Sequence, residues 1–198
     1  MKDYRPAKFV DRLEDNNHIV MLYDSQEHAD AVIARYFANG LEKGESCIFF
    51  TADEPAVVEK RLSVQGIDVD RYKRKNALRI FRIERSDTGK ADVLATLKKI
   101  REEATKGMKP PYRFAGRTIT DTGSKEGMTL GLTLEKSGHE HFAEFECSQM
   151  CYYDISGIEK SRRDEWIAGL LKNHHHVIYA TDPNRAVAFE TALLEEGE

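Results

Sequence analysis

Long apolar runs are missing from this sequence. The longest, Ile19-Val20-Met21-Leu22-Tyr23, has five residues, against the roughly 20 that span a bilayer. The N-terminus, Met1 to Pro6, carries Lys2, Asp3 and Arg5 where an export signal needs an apolar core. No membrane contact is expected, and the expected location is cytoplasmic. Cysteine is scarce and odd in number, at three (Cys47, Cys147, Cys151), which excludes a disulfide framework and fits free thiols in a reducing compartment. Basic residues are outnumbered, 30 against 34 acidic, and the formal net charge is −4. With no long basic run either, direct nucleic-acid binding is not expected.

Signatures of catalysis and of nucleotide binding are also absent. A P-loop wraps phosphate with glycine-freed backbone amides and neutralises it with lysine. The first strand-to-helix junction instead reads Leu22-Tyr23-Asp24-Ser25-Gln26-Glu27-His28, with no glycine or lysine and two carboxylates. Gly127-Met128-Thr129-Leu130-Gly131 lacks the close glycine pair of a dinucleotide fingerprint. There is no Gly-x-Ser-x-Gly elbow, and the plentiful acidic pairs define no glycosidase or two-metal pattern. Non-catalytic action without a cofactor is the expectation.

The histidines do not form a ligand pattern. His174-His175-His176 would point alternately to opposite sides of an extended segment, so all three cannot meet one ion. Cys147 and Cys151 lack a second matching pair, and His18, His139 and His141 add no ligand spacing. No metal site is expected, and Cys47 and Cys151 read as packing within apolar strands.

What is present is a sizeable core. Hydrophobic residues make up 40% of the 198, enough for one globular domain. Ile19 to Tyr23 reads as a strand buried on both faces. Asp24-Ser25 offers N-caps to a helix carrying Ala29, Val32, Ile33, Tyr36, Phe37 and Leu41, which Gly44 ends. Cys47 to Phe50 is a second strand, followed by a helix opened by Pro55. A third strand spans Ala77 to Ile83, a helix runs from about Lys90 to Lys106, and Tyr112 to Thr120 is strand-like. Between Gly123 and Cys147 the apolar residues suit a helix, although Met128, Leu130, Leu132 and Leu134 also alternate as in a strand. A strand over Gln149 to Tyr153, a helix around Trp166, a strand over Val177 to Ala180 and a terminal helix from Pro183 to Leu194 complete the chain.

This alternation predicts an α/β three-layer sandwich with a mostly parallel central sheet. Ligands of such sheets bind beyond the carboxyl ends of the strands. The candidate ligand-binding residues are therefore Tyr23, Asp24, Ser25, Asp53, Arg117, Asp121, Tyr153 and Asp154. Taken singly, Asp24, Ser25 and Glu54 also read as helix caps and Asp154 as the start of a turn.

The segments His18-Ile19-Val20-Met21-Leu22-Tyr23-Asp24-Ser25 and Phe37 to Ile48 resemble the opening of the MEDS family of methanogen/methylotroph sensory domains. Cys151-Tyr152-Tyr153-Asp154 and His174 to Tyr179 resemble its closing motifs, in the same order. The resemblance covers residues 18–182, with 1–17 as an N-terminal extension and 183–198 as a C-terminal helix. It implies a RecA/KaiC-like fold that has lost its P-loop, and a sensory role of the kind found in a dichloromethane-responsive repressor and beside signalling kinases. The leading expectation is a stand-alone sensory domain that binds a small molecule or a signalling protein. The alternative is a nucleotide-binding relative or enzyme holding phosphate by a nonstandard route, through Arg117 and Lys125. Self-association, as in ring-forming RecA-like relatives, is a third.

Overall fold

The computed structural model describes residues 6–14, 16–83, 93–116, 122–158, 160–180 and 187–191. Among these residues, seven strands form one sheet: β1 (His18–Tyr23), β2 (Ser46–Thr51), β3 (Leu78–Arg82), β4 (Tyr112–Gly116), β5 (Cys147–Asp154), β6 (His176–Ala180) and β7 (Val187–Glu190). Their order is β3-β2-β4-β5-β1-β6-β7. The first six run parallel, and β7 pairs antiparallel with β6.

Helices cover both faces, which is why β1 and β2 are buried at every position and carry no polar alternation. On one face lie α1 (Pro6–Asp11), α2 (Gln26–Lys43), α3 (Pro55–Val64) and α4 (Val69–Arg74). They pack on Ile19, Met21, Phe49, Met150 and Ile178. The other face is covered by α5 (Val93–Thr105), α6 (Lys125–Glu140) and α7 (Arg163–Lys172). There Trp166 and Leu170 meet Val20, Tyr153 and Val177, and Ile100 and Ala104 meet Ile48 and Phe114. Burying each such large side chain contributes about 1.5–3 kcal/mol.

The local signals work as the physics requires. Gly44 ends α2 in the left-handed conformation, φ 84°, its amide bonding back into the last turn. Ser124 caps α6 by accepting from the Gly127 amide. The buried residues Met128, Gly131, Leu134, Glu135 and Gly138 follow helical spacing, so the segment is helix and not strand. The two-residue link Asp24–Ser25 joins β1 to α2.

One expectation changes, and two features are added. The terminal segment is not helical where it is described, because Val187–Glu190 forms β7. Pairing with β6 satisfies backbone groups along that strand's outer edge and places Phe189 opposite Val177. Pro183 and the residues from 192 onward lie outside the described residues. The short helix α4, capped by the Asp68 side chain, was not expected. Residues 6–14 of the N-terminal extension pack on the domain: Val10 and Leu13 are buried in the core, and Asp11 receives two hydrogen bonds from Arg35 of α2.

Candidate functional site

At the carboxyl ends of β1, β2 and β5 a polar cavity of about 60 Å3 opens between Tyr23, Gln26, Thr51, Asp53, Arg61 and Tyr152. The Tyr23 hydroxyl donates to Gln26 at 3.3 Å, and the Gln26 amide donates to Asp30 at 2.9 Å. Arg61 grips the same Asp30 carboxylate, with Nε 2.9 Å from Oδ2. Arg61 is held more basic than usual by that hydrogen bond, against the opposing effect of burial. The Asp53 amide donates to the Thr51 hydroxyl at 2.9 Å, fixing the turn after β2. With Asp30 neutralising Arg61, the exposed Asp53 is the remaining charged side chain among the described residues that line the cleft.

Of the residues anticipated for such a pocket, Tyr23 and Asp53 line it. Asp24 is exposed in the β1–α2 link. Ser25 and Glu54 occupy N-cap positions, but neither side chain makes a capping hydrogen bond. Asp154 organises a turn by accepting from the Ser156 amide and hydroxyl at 2.8 and 2.6 Å. Arg117 and Asp121 lie outside the described residues, and Lys125 begins α6. Tyr153 faces the opposite layer, because successive side chains of β5 alternate. Tyr152, on the Tyr23 side, takes the place in the cleft. That same period of two could have separated the two tyrosines in advance.

Behind the sheet, toward α6 and α7, four buried side chains converge. His18 begins β1, Cys151 lies in β5, Glu135 is on α6, and His174 lies in the α7–β6 link. Each contributes one donor atom, and these atoms all lie within 4.8 Å of one another. Cys151 Sγ is 3.5 Å from His18 Nε2 and 3.4 Å from Glu135 Oε2. Glu135 Oε2 is 3.4 Å from His174 Nε2 and 3.7 Å from His18 Nε2. The other Glu135 oxygen accepts from the Tyr153 hydroxyl. Burial, with help from His174 and His139, pushes His18 well below 6.5, so it is neutral. Burial raises Glu135, but the adjacent His174 side chain, with hydrogen bonds from Tyr153 and Cys151, outweighs it and holds the carboxyl below 4.5. Burial, reinforced by the Glu135 carboxylate, drives the Cys151 thiol well above 9.0.

The three consecutive histidines do diverge: His174 joins the group, while the His176 ring packs on Phe9 at 5.2 Å and bonds Asn17. Spacing along the chain concealed the cluster because its members come from four separate elements. One signal was available in Glu135, a charged residue on the otherwise apolar buried face of α6. Cys151 is buried as anticipated, but among polar partners as well as apolar ones.

Beside this group a cavity of about 30 Å3 lies between α5 and the sheet, lined mainly by Phe50, Ile83, Leu97 and Ile100. Its polar wall is Arg101 and Gln149; Arg101 donates to Gln149 at 2.7 Å, and Gln149 donates to Cys151 Sγ at 3.0 Å.

Among solved structures, a KaiC-like protein from the hyperthermophilic archaeon Pyrococcus horikoshii OT3 superposes with a TM-score of 0.57. It is 13% identical, with 84% of this chain and 72% of that chain covered. A second protein from the same archaeon superposes with a TM-score of 0.60 at 12% identity, over 93% and 91% of the two chains. Both share the fold, a RecA/KaiC-like α/β sandwich. No functionally curated protein matches the sequence. Residues 17–175 match the family described as MEthanogen/methylotroph, DcmR Sensory domain. With that match spanning most of the sheet and both of its helical layers, the chain belongs to the MEDS family of sensory domains.

Proposed function

We propose that this sensory domain acts by binding a small, neutral or cationic hydrogen-bonding molecule at the carboxyl ends of β1, β2 and β5, without turning it over. The observation that carries this reading is the polar cleft of Tyr23, Thr51, Asp53 and Tyr152, located where open parallel sheets take their ligands. Its size of about 60 Å3 suits a molecule of a few heavy atoms. Its electrostatics disfavour phosphate: Arg61 is engaged by Asp30, Asp53 is acidic, and the two-residue β1–α2 link has no glycine or lysine to wrap an anion. Bound ligand would report to a signalling partner through the loops after β1 and β2.

A thermal-shift screen of the whole chain tests this with one-carbon alcohols and amines, halogenated and methylated small molecules, ATP and GTP. A ligand that binds only the folded state raises Tm. The expected result is a shift with a small polar compound that is lost in Asp53→Ala and in Tyr152→Ala. A nucleotide-dependent shift, or no shift with any compound, overturns the reading.

A further inference from the structure

We infer that His18, Glu135, Cys151 and His174 form a closed, tetrahedral binding site for Zn2+ behind the sheet. This goes beyond the proposed ligand cleft, which lies on the other face.

Four observations converge. The donor set is two imidazoles, one thiol and one carboxylate, the ligand types that zinc takes. The separations fit: donors about 2.0–2.3 Å from one tetrahedral ion lie about 3.3–3.8 Å apart. Four of the six donor pairs are at 3.4 to 3.7 Å, and all six lie within 4.8 Å, so the group needs only a small contraction to close on one ion. The charges close as well, since Zn2+ with one thiolate, one carboxylate and two neutral imidazoles is neutral overall. That is the condition under which an ion can remain in a site where every ligand is buried. Lastly, His174 Nε2 is buried without a well-formed hydrogen bond and points into the group.

The surroundings are those of metal ligands, whose free ends are held by a second layer of hydrogen bonds. His174 Nδ1 is 2.7 Å from the Leu170 carbonyl, which makes that nitrogen the N–H donor and leaves Nε2 its lone pair. His18 Nδ1 lies 3.4 Å from His139 Nδ1, and its Nε2 faces the group. Gln149 donates to the Cys151 sulfur, and Tyr153 donates to the Glu135 oxygen away from the centre. A row of imidazoles leads from the group toward the surface. His175 is exposed, its ring is 5.0 Å from that of half-buried His139, and His139 contacts buried His18. On binding, the Cys151 S–H bond breaks, its electron pair forms the Zn–S bond, and the proton leaves to solvent.

The test uses the full chain, reduced and stripped with a chelator, titrated with Zn2+ against a chromophoric competitor and separately with Co2+. One ion per chain is expected. The Co2+ form should show a sulfur-to-metal charge-transfer band that Cys151→Ser abolishes and Cys147→Ser and Cys47→Ser retain. His174→Ala should remove stoichiometric Zn2+ binding, and Gln149→Ala should weaken it by about 10–100-fold. Should Cys151→Ser fail to fold, Zn2+ protection of Cys151 against alkylation in the wild type, read by mass spectrometry, decides in its place. Binding well below one ion per chain overturns the site and leaves the group as a hydrogen-bonded network. So does binding unchanged in Cys151→Ser and His174→Ala, or alkylation of Cys151 that ignores zinc. Asp53→Ala, on the far face, should leave zinc binding intact, so the ligand cleft and the metal site stand or fall separately.

Discussion

Arg113 of β4 and Glu45, just before β2, form a paired ion bridge inside the core, with both nitrogen-to-oxygen distances at 2.7 Å. A third nitrogen of the guanidinium donates to the Tyr36 carbonyl at 2.9 Å, and the group sits 4.7 Å over the Tyr36 ring. Both side chains are almost fully buried. Removing one partner strands the other charge, so Arg113→Ala or Glu45→Ala should cost about 3–5 kcal/mol in urea unfolding. The joint replacement Arg113→Met with Glu45→Leu should recover most of that loss. A small effect for either single variant would mean that the pair is hydrated.

Gly40, within α2, faces that guanidinium. An alanine inside a helix ordinarily gains up to about 1 kcal/mol over glycine. Here a Cβ would lie 2.7 Å from Arg113 Cδ and Nε and 3.2 Å from the Cys47 sulfur. Arg113 is pinned by Glu45 and cannot yield freely, so Gly40→Ala should destabilise by about 1–3 kcal/mol as an overpacked core does. A gain in stability on denaturation would show that the arginine can move.

Tyr152 and Tyr153 should respond differently to the loss of one oxygen. Tyr153→Phe removes the donor to buried Glu135 and should cost about 1–3 kcal/mol, leaving small-molecule binding in the cleft unchanged. Tyr152→Phe should weaken that binding. Equal effects of the two variants on ligand affinity would contradict the division of β5 between two faces.

The attachment of α1 should depend on pH. Hydrogen bonds from Arg35, more than those from Asn39, hold the Asp11 carboxyl below its ordinary 3.8. A carboxylate whose pKa is depressed by folding contributes stability above its unfolded value, and loses it as pH falls through the folded value. The stability difference between wild type and Asp11→Asn should therefore be constant near neutrality and vanish in acid. A difference that grows on acidification would refute the assignment.

Much of the architecture is legible in short stretches. Ile19 to Tyr23 declares a strand covered on both sides because an unbroken apolar run has no solvent face. Gly44 marks a helix end because only glycine takes φ 84° without cost. Where pairing partners are remote, local pattern fails. Val187–Glu190 is four residues long, too short to separate a period of 2 from one of 3.6, and its state is decided by β6. A polar cavity does open at the carboxyl ends of the strands, and strand ends follow from strand positions. Its membership was less readable, because Arg61 arrives from α3 and Tyr152 rather than Tyr153 faces it. The four-residue group behind the sheet was hidden because no two of its members are neighbours in sequence.

The alternation along β5 makes the sheet a shared wall. Cys151 and Tyr152 are joined by one peptide bond, yet the first belongs to the buried donor group and the second to the open cleft. β5 pairs with β4 over Cys147–Cys151 and with β1 over Gln149–Asp154, which fixes the backbone where the two side chains part. One short stretch of backbone thereby serves two chemically different surroundings, a dry group of donors and a polar cleft, and a substitution in β5 can be aimed at one without entering the other.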